Sequence, residues 1–500
     1  MSQATPERPG WLPDAVPAAR EQAPAGELRL RLPIGCFDAA VRAIAEEGAR
    51  FVTLFQSRSP EHALVGVFAL RGELVLLFGS GSAEAGRLEG SLADWWPALA
   101  WAQRELSERA QAGADGAARP PSSGRALTEP DADLLDRRVR GLDAFTIPYG
   151  PVRSGIFEAI QFQIETGGED VLALQTRPFF KHRAMEARFK GLPVALGVHV
   201  AERVAGIAGS AYAAAFSQAV ERALGVAAPS RAERWRALYG ELERMACHLD
   251  VIAKQAETAA LNVGLARFQI LKERVQRLRT LLTGSRFARG VILPGGVRFE
   301  GMIGLEQLAG ELEDFERALR GDRRLFLGTA SMTDRLIGSG RLPRALVERY
   351  CGVGPVARGS GLSTDARHER PYGDYWRLGL QVCMRREGDA MARVRVRFDE
   401  LFESLRILRQ SIDRLRRHDG QLAAELPERG SGAACGWAEA PQGELLIWVE
   451  IEEGVLRNVH IASPSFRNWA IFDHAFPKDV LTDFAFIEHS FGLTPAGADR

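Results

Sequence analysis

The feature that most constrains this 500-residue chain is a set of long apolar stripes at helical spacing. Met391, Val394, Phe398, Leu401, Leu405, Leu408, Ile412 and Leu415 recur every three or four residues. At about 3.6 residues per turn they mark one face of a helix more than six turns long. Trp235, Leu238, Leu242, Met245, Leu249 and Ile252 repeat the pattern, as do Leu271, Val275, Leu278 and Leu282. A helix with one apolar face must bury it against another, so the stripes predict a helix-bundle core.

Around that bundle the chain divides. Residues 1–26 are rich in Pro, Ala and Glu and contain no apolar leader, which predicts a disordered N-terminus and no secretion. Residues 27–107 read as a small α/β domain. It has a strand at Leu28–Leu32, a helix near Phe37–Glu47 and a strand at Phe51–Phe55. A hairpin follows around Arg71-Gly72, then a helix carrying Trp95, Trp96 and Trp101. Residues 108–132 are small, polar and Pro/Gly-rich, the composition of a linker. Residues 133–500 form the large domain, opening with strands at Ile156–Ile164 and Val171–Thr176. It closes, from Gly436, with a β segment whose hairpin turns at Glu453-Gly454. The fold class predicted is α+β: a small α/β domain joined to a large helix bundle bearing an N-terminal β-hairpin and a C-terminal β segment.

Composition excludes several functions. The 64 basic and 64 acidic residues cancel, so no global field recruits nucleic acid or anionic lipid. The basic run Arg406–Arg417 falls at helical spacing and reads as a solvated or partner-facing surface. No run of eighteen apolar residues predicts a transmembrane helix. Five cysteines lie far apart with no C-x-x-C pair, the pattern of reduced cytosolic thiols and not of a zinc or iron–sulfur site. No glycine-rich loop between strand and helix cradles a dinucleotide.

Six segments carry the chemistry. Gly150-Pro151 opens the first hairpin. His182-Arg183-Ala184-Met185-Glu186 follows, and then Glu202-Arg203-Val204-Ala205-Gly206-Ile207-Ala208-Gly209-Ser210-Ala211-Tyr212. Glu241-Leu242-Glu243-Arg244 leads to His248-Leu249, and Thr283-Gly284-Ser285-Arg286-Phe287 precedes Pro294-Gly295-Gly296-Val297. Gly354-Pro355, Arg358, Asp365, Arg367 and Pro371-Tyr372 run on to Gly388-Asp389-Ala390, Arg393, Arg397 and Ser404-Leu405-Arg406. In order and spacing these resemble the large subunit shared by complex I (NADH:quinone oxidoreductase) and membrane-bound nickel–iron hydrogenases. The third segment is similar to that family's E-R-x-C-G-I-C-x-x-x-H. Ala100-Trp101-Ala102-Gln103-Arg104-Glu105 resembles a segment of the smaller complex I subunit, and such a fusion is typical of formate hydrogenlyase-type proteins. Gly443-Glu444-Leu445 and Pro464-Ser465-Phe466-Arg467-Asn468-Trp469 lean the same way.

The departures from that resemblance matter as much. The family's four metal-binding cysteines fall here on Ala205, Ala208, Thr494 and Gly497, and the histidine on Tyr212. Thiolates hold soft metals and these side chains do not, so no nickel–iron centre and no hydrogenase activity are expected. The quinone-binding histidine and tyrosine implied by the complex I likeness fall on Phe157 and Gly206, which offer neither donor nor acceptor. Arg153 stands at an earlier histidine and is a candidate cation for an anionic ligand. His182 and Glu186 would be i,i+4 neighbours on a helix, able to share a proton or form a structural ion pair. With Arg183, Glu202 and Arg203 they complete the cavity candidates.

The resemblance implies a peripheral subunit on the cytoplasmic face of the inner membrane. It would have no cofactor of its own, a small iron–sulfur partner subunit, membrane-arm partners, and a quinone or another electron acceptor. The alternative is a non-catalytic scaffold coupling the iron–sulfur subunit to the membrane subunits. An open polar cavity distinguishes the first; a site plugged by Phe157, Tyr212 and Pro495 distinguishes the second.

Overall fold

The computed structural model describes residues 9–21, 23, 26–57, 64–81, 95–111, 144–153, 158–298, 301 and 303–500. Residues 112–132 of the expected linker, and Phe157, lie outside these.

The first unit is a five-stranded sheet in the order β1-β2-β5-β4-β3. Its strands are β1 (Ala19–Glu21), β2 (Leu28–Pro33), β3 (Arg50–Gln56), β4 (Leu64–Leu70) and β5 (Glu73–Ser80). Only β2 and β5 run parallel. Helix α1 (Phe37–Glu46) and helix α2 (Pro97–Gln111) supply Phe37, Val41, Ile44 and Leu99 to the core on one face of the sheet. Two expectations change here. The stretch expected to be disordered contributes β1, and it buries Leu12 and Val16 in the same core. The tryptophan helix starts at Pro97, past Trp95 and Trp96, because proline fits the first turn of a helix and not its interior.

The large unit opens with a three-stranded antiparallel sheet, β6 (Phe145–Tyr149), β7 (Gln161–Thr166) and β8 (Val171–Arg177). Helices α3 (Val194–Ala201), α4 (Gly209–Leu224), α5 (Ser230–Thr258) and α6 (Asn262–Thr283) follow. After the short ladder β9 (Ile292–Leu293) and β10 (Gly296–Val297) comes α7 (Leu305–Leu327). Four short helices, α8 (Ala330–Leu336), α9 (Arg344–Arg349), α10 (Gly354–Gly359) and α11 (Ala366–Glu369), lead to α12 (Ala390–Arg417). Every stripe residue of α5, α6 and α12 is buried, none more than 4% exposed, so the apolar periodicity is the bundle core.

The chain closes with the antiparallel sheet β11 (Gly432–Ala440), β12 (Gly443–Glu452), β13 (Val455–Ala462), then α13 (Pro464–Phe472), α14 (Phe484–Phe491) and α15 (Pro495–Asp499). Strand β12 carries the run Leu445-Leu446-Ile447-Trp448-Val449 because both of its faces are covered. Leu445, Ile447 and Val449 face the bundle, while Leu446 and Trp448 meet Val65, Leu76 and Phe78 of the small sheet. Helix α4 lies directly on β11. A Cβ on Gly436 would sit 2.0 Å from the Ala215 carbonyl oxygen, and one on Gly432 2.1 Å from that of Ala223.

Bundle and sheet are tied by a buried ionic network built largely from the segments singled out in the sequence. The Arg358 guanidinium donates to Glu400 at 2.8 Å and to Glu439 of β11 at 2.8 Å. Arg367 donates to Asp365 at 2.7 Å and to Glu241 at 2.9 Å, and Glu241 also accepts from Ser404 and Tyr375. Arg397 can only donate to His248 Nδ1, at 3.1 Å, so Nε2 carries the proton and donates to Glu400 at 2.8 Å. Burial holds His248 neutral, its pKa down at about 4.

Deleting one member of such a network strands buried charge. Arg358→Ala is expected to cost about 3–5 kcal/mol in denaturant unfolding. His248 and the likewise depressed His489 bind fewer protons folded than unfolded. Their contribution to stability is whole above pH 6.5 and is lost as pH falls toward about 4. The midpoint-against-pH curve of His248→Gln should therefore be shallower across that window than that of the unsubstituted chain.

Candidate functional site

Three helix starts and one tight loop build the site. Glu202–Ala208 leaves α3, crosses Ala205 in extended conformation and enters α4 at Gly209. The start of α4 has no side-chain cap of its own; the Glu243 carboxylate of α5 accepts from Ser210 N at 2.8 Å and Ala211 N at 3.0 Å instead. Ser463-Pro464 and Thr494-Pro495 begin α13 and α15, each with proline in the first turn. Ser463 Oγ caps Ser465 N at 3.2 Å, and Ser465 Oγ accepts from Thr494 N at 3.3 Å.

These loops bring Ala205, Ala208, Thr494 and Gly497, the positions to which the resemblance assigns metal ligands, into one packed region. Arg183 Nη2 donates to the Val204 carbonyl at 2.5 Å and to that of Ala496 at 3.3 Å, stitching one pair of positions to the other. Ala205, Ala208, Tyr212 and Thr494 are 2%, 1%, 1% and 8% exposed, which makes this region interior. A Cβ at Gly497 would meet Ser463 Oγ at 3.1 Å and Thr494 Cγ2 at 3.2 Å. Burial pushes the Tyr212 phenol up to about 12, and the neighbouring Ser463 hydroxyl offsets part of that shift. Two methyl groups, a hydroxyl and a glycine make no donor set for nickel or iron, and the residues here do not fit that centre.

The remaining candidates disperse. Residues 182–186 are not helical, so His182 and Glu186 do not stand one turn apart as the i,i+4 expectation required. Both reach the C-terminal segment separately. His182 Nδ1 lies 2.7 Å from the Asp499 carbonyl oxygen, while Glu186 accepts from Arg500 at 3.2 Å and from Ile461 N at 2.9 Å. Arg153 is paired with Glu488 at 2.7 Å and packed on Tyr149 and Phe162, so its charge is matched by a carboxylate. Gly206 is exposed in a short 3₁₀ turn. Arg203 is about half exposed, and Glu202 is buried, accepting from Gly290 N at 2.7 Å.

Several contributors were missed from sequence. Glu158 accepts from Ala496 N at 3.0 Å and from the Thr494 hydroxyl. Asp499 accepts from Phe179 N and Lys181 N, and burial raises its carboxyl to about 6. Arg500 joins Glu186 to Glu105 of α2 at 2.5 Å, so the small unit reaches into the site. His460 does the same, lying 3.1 Å from Glu186 and 2.8 Å from the Thr53 hydroxyl. The Asp-Arg pair closing the chain was a visible signal for two of these; long-range partners of Glu158 and His460 had none.

The comparisons agree with the motifs. Residues 263–429 match the family described as respiratory-chain NADH dehydrogenase, 49 Kd subunit. The chain is 28% identical over 367 residues to formate hydrogenlyase subunit 5 of Escherichia coli, covering 71% of this chain and 63% of that protein. It is 25% identical over 426 residues to the mitochondrial NADH-ubiquinone oxidoreductase 49 kDa subunit of Neurospora crassa, covering 77% and 84%. A chain from the structure of the membrane-bound sulfane sulfur reductase, an archaeal respiratory membrane complex, superposes with a TM-score of 0.67. That likeness is at 25% identity and covers 71% of this chain and 98% of the other. The chain is thus similar, in sequence and in fold, to the 49 kDa-type large subunits of complex I-like and hydrogenase complexes. It carries Ala205, Ala208, Thr494 and Gly497 where the resemblance places thiolate ligands.

Arg183 is the stitch between the two halves of the site. Arg183→Gln is expected to cost about 1.5–3 kcal/mol, the range for hydrogen bonds to a charged group. Hydrogen exchange read by mass spectrometry should speed up in residues 494–500 and leave α12 unchanged.

Proposed function

We propose that this chain is the peripheral large subunit of a membrane-associated, complex I-like assembly, in which the family's metal seat has been filled by the protein itself. The observation that carries this is the packing of Tyr212, Ser463 and Arg183 across the four former ligand positions. The role this geometry supports best is coupling: the fold holds an iron–sulfur partner subunit on one side and membrane subunits on the other, without metal chemistry of its own. No described helix is long and apolar enough to cross a membrane, in keeping with a peripheral position, which we place on the cytoplasmic face.

A second reading keeps electron transfer: the partner's cluster passes electrons through this chain to a quinone or another acceptor. The half-exposed Arg203 and the exposed Gly206 turn beside the buried Ala205 favour it, since they leave a polar edge next to the site.

The experiment is purification from gently solubilised native membranes with mass spectrometry of the partners. Co-purification of an iron–sulfur subunit and membrane subunits is expected; recovery of the chain alone from the soluble fraction overturns both readings. Acceptor reduction by that complex, unaffected by Tyr212→Phe and Arg203→Gln, would favour coupling; its loss in Arg203→Gln would favour delivery at this site. Restoring cysteine at Ala205, Ala208, Thr494 and Gly497 together is expected to yield no hydrogen evolution, because the groups around a metal must fit it too.

A further inference from the structure

At the end of α12 the basic run Arg406–Arg417 separates into matched and unmatched charges. Arg406, Arg409 and Arg416 are paired with Glu403, Glu316 and Asp413. Arg414 donates to both oxygens of Asp374, from Nε at 2.7 Å and from Nη2 at 3.2 Å. Arg417, three residues on and on the same face, is exposed and has no ion pair among the described residues. The start of α5 lies against this helix end. Arg231 donates to the Leu415 and His418 carbonyl oxygens at 3.4 and 2.6 Å, and to the fully exposed Asp419 at 3.0 Å.

Arg234, on the same helix, is short of a counterion. It is 5% exposed, yet its Nε has no hydrogen-bond partner among the described residues. Its ion-pair contact is Asp374 at 3.9 Å, a carboxylate already taken by Arg414. Arg414, Arg377 and Arg231 stand near enough to oppose its charge. A buried guanidinium is ordinarily met by carboxylates on its fork of donors, as Arg358 is by Glu400 and Glu439. Beside Asp374, the 3₁₀ turn Tyr375–Arg377 puts Trp376 into solvent, 62% exposed. The Arg377 guanidinium lies 4.1 Å from its ring centre. Arg377 is exposed and, like Arg417, has no carboxylate at ion-pair distance among the described residues.

We propose, resting on the assembly reading above, that this patch docks a carboxylate-rich segment of a partner subunit, with Trp376 as the apolar anchor. The patch sets Arg231, Arg234, Arg377, Arg414 and Arg417 against Asp374 and Asp419. Acidic side chains of the partner supply the counter-charge that Arg234, Arg377 and Arg417 lack. Trp and Arg are also the side chains in which the binding energy of protein interfaces concentrates. The relief favours a polypeptide over a bilayer. Arg234 and Asp374 are buried, whereas Trp376 and Arg377 form the exposed rim. A flat plane of lipid headgroups meets that rim alone, but a chain segment can cover Trp376 and send a carboxylate in toward Arg234.

Zero-length carbodiimide cross-linking of the complex purified from native membranes tests it. Arg377→Lys and Arg417→Lys keep the charge and add an amine. Carbodiimide joins that amine to an adjacent carboxylate as an amide and takes up the water released. The expected result is an amide link from one of these positions to an aspartate or glutamate of another chain, absent when arginine stands there. Links confined to this chain's own acids, with partner subunits present, overturn the docking and leave the assembly reading standing. Recovery of the chain without partners overturns both. In a second measurement, Arg377→Gln combined with Arg417→Gln should release the chain from its partners at several-fold lower salt, and an unchanged release profile overturns the docking. Binding of the purified chain to phosphatidylglycerol vesicles but not phosphatidylcholine vesicles, lost in that double variant, would assign the patch to lipid and overturn a protein occupant.

Discussion

Arg358 is fully buried, and its three nearest acids, Glu400, Glu439 and Asp365, come from three different parts of the chain. A guanidinium can be kept out of water only if carboxylates meet its fork of donors, so its burial dictates where α12, β11 and α11 must lie relative to one another. The same logic extends through Arg367, Glu241 and Arg244, whose Nη2 donates to the Glu439 carbonyl oxygen at 2.6 Å. Apolar stripes bring the helices together, but oily faces tolerate sliding and rotation. Directional charge pairing selects one register.

That register decides what becomes of the site. With β11–β13 fixed against the bundle, Ser463 and the end of the chain arrive beside Ala205 and Tyr212. The small unit then packs on the outer face of the same sheet, with Arg50 on Glu444 at 2.5 Å and Phe55 stacked on His460. Glu105 and Thr53 thus touch the groups that hold Glu186 and Arg500. The fused unit is therefore part of the site's supporting shell. The region around Ala205, Ala208, Thr494 and Gly497 is held by hydrogen bonds among hydroxyls, amides and guanidinium groups.

Much of the fold was legible beforehand. The hairpin β12–β13, the sheet of the small unit and the three striped helices all follow from local periodicity, which depends on nothing distant. The errors share a cause. Strand β1 exists because an open edge at β2 accepts it, and a mostly polar, proline-rich segment carries no such signal by itself. His182 and Glu186 do not pair as i,i+4 neighbours because Ala184 between them adopts a left-handed backbone conformation that a helix does not tolerate. Arg153, a candidate cation for an anionic ligand by sequence, faces Glu488, some three hundred residues away in sequence.

The sequence by itself determined the helical core, the ordered motifs that carry the resemblance, and the absence of cysteine from Ala205, Ala208, Thr494 and Gly497, because side-chain identity and spacing are local facts. Whether those positions enclose a cavity or a packed interior could not be read from it. That depended on which distant side chains the fold delivers to the gap, and only the tertiary structure, by seating Tyr212 on Ser463 and Arg183 across two loops, decided it.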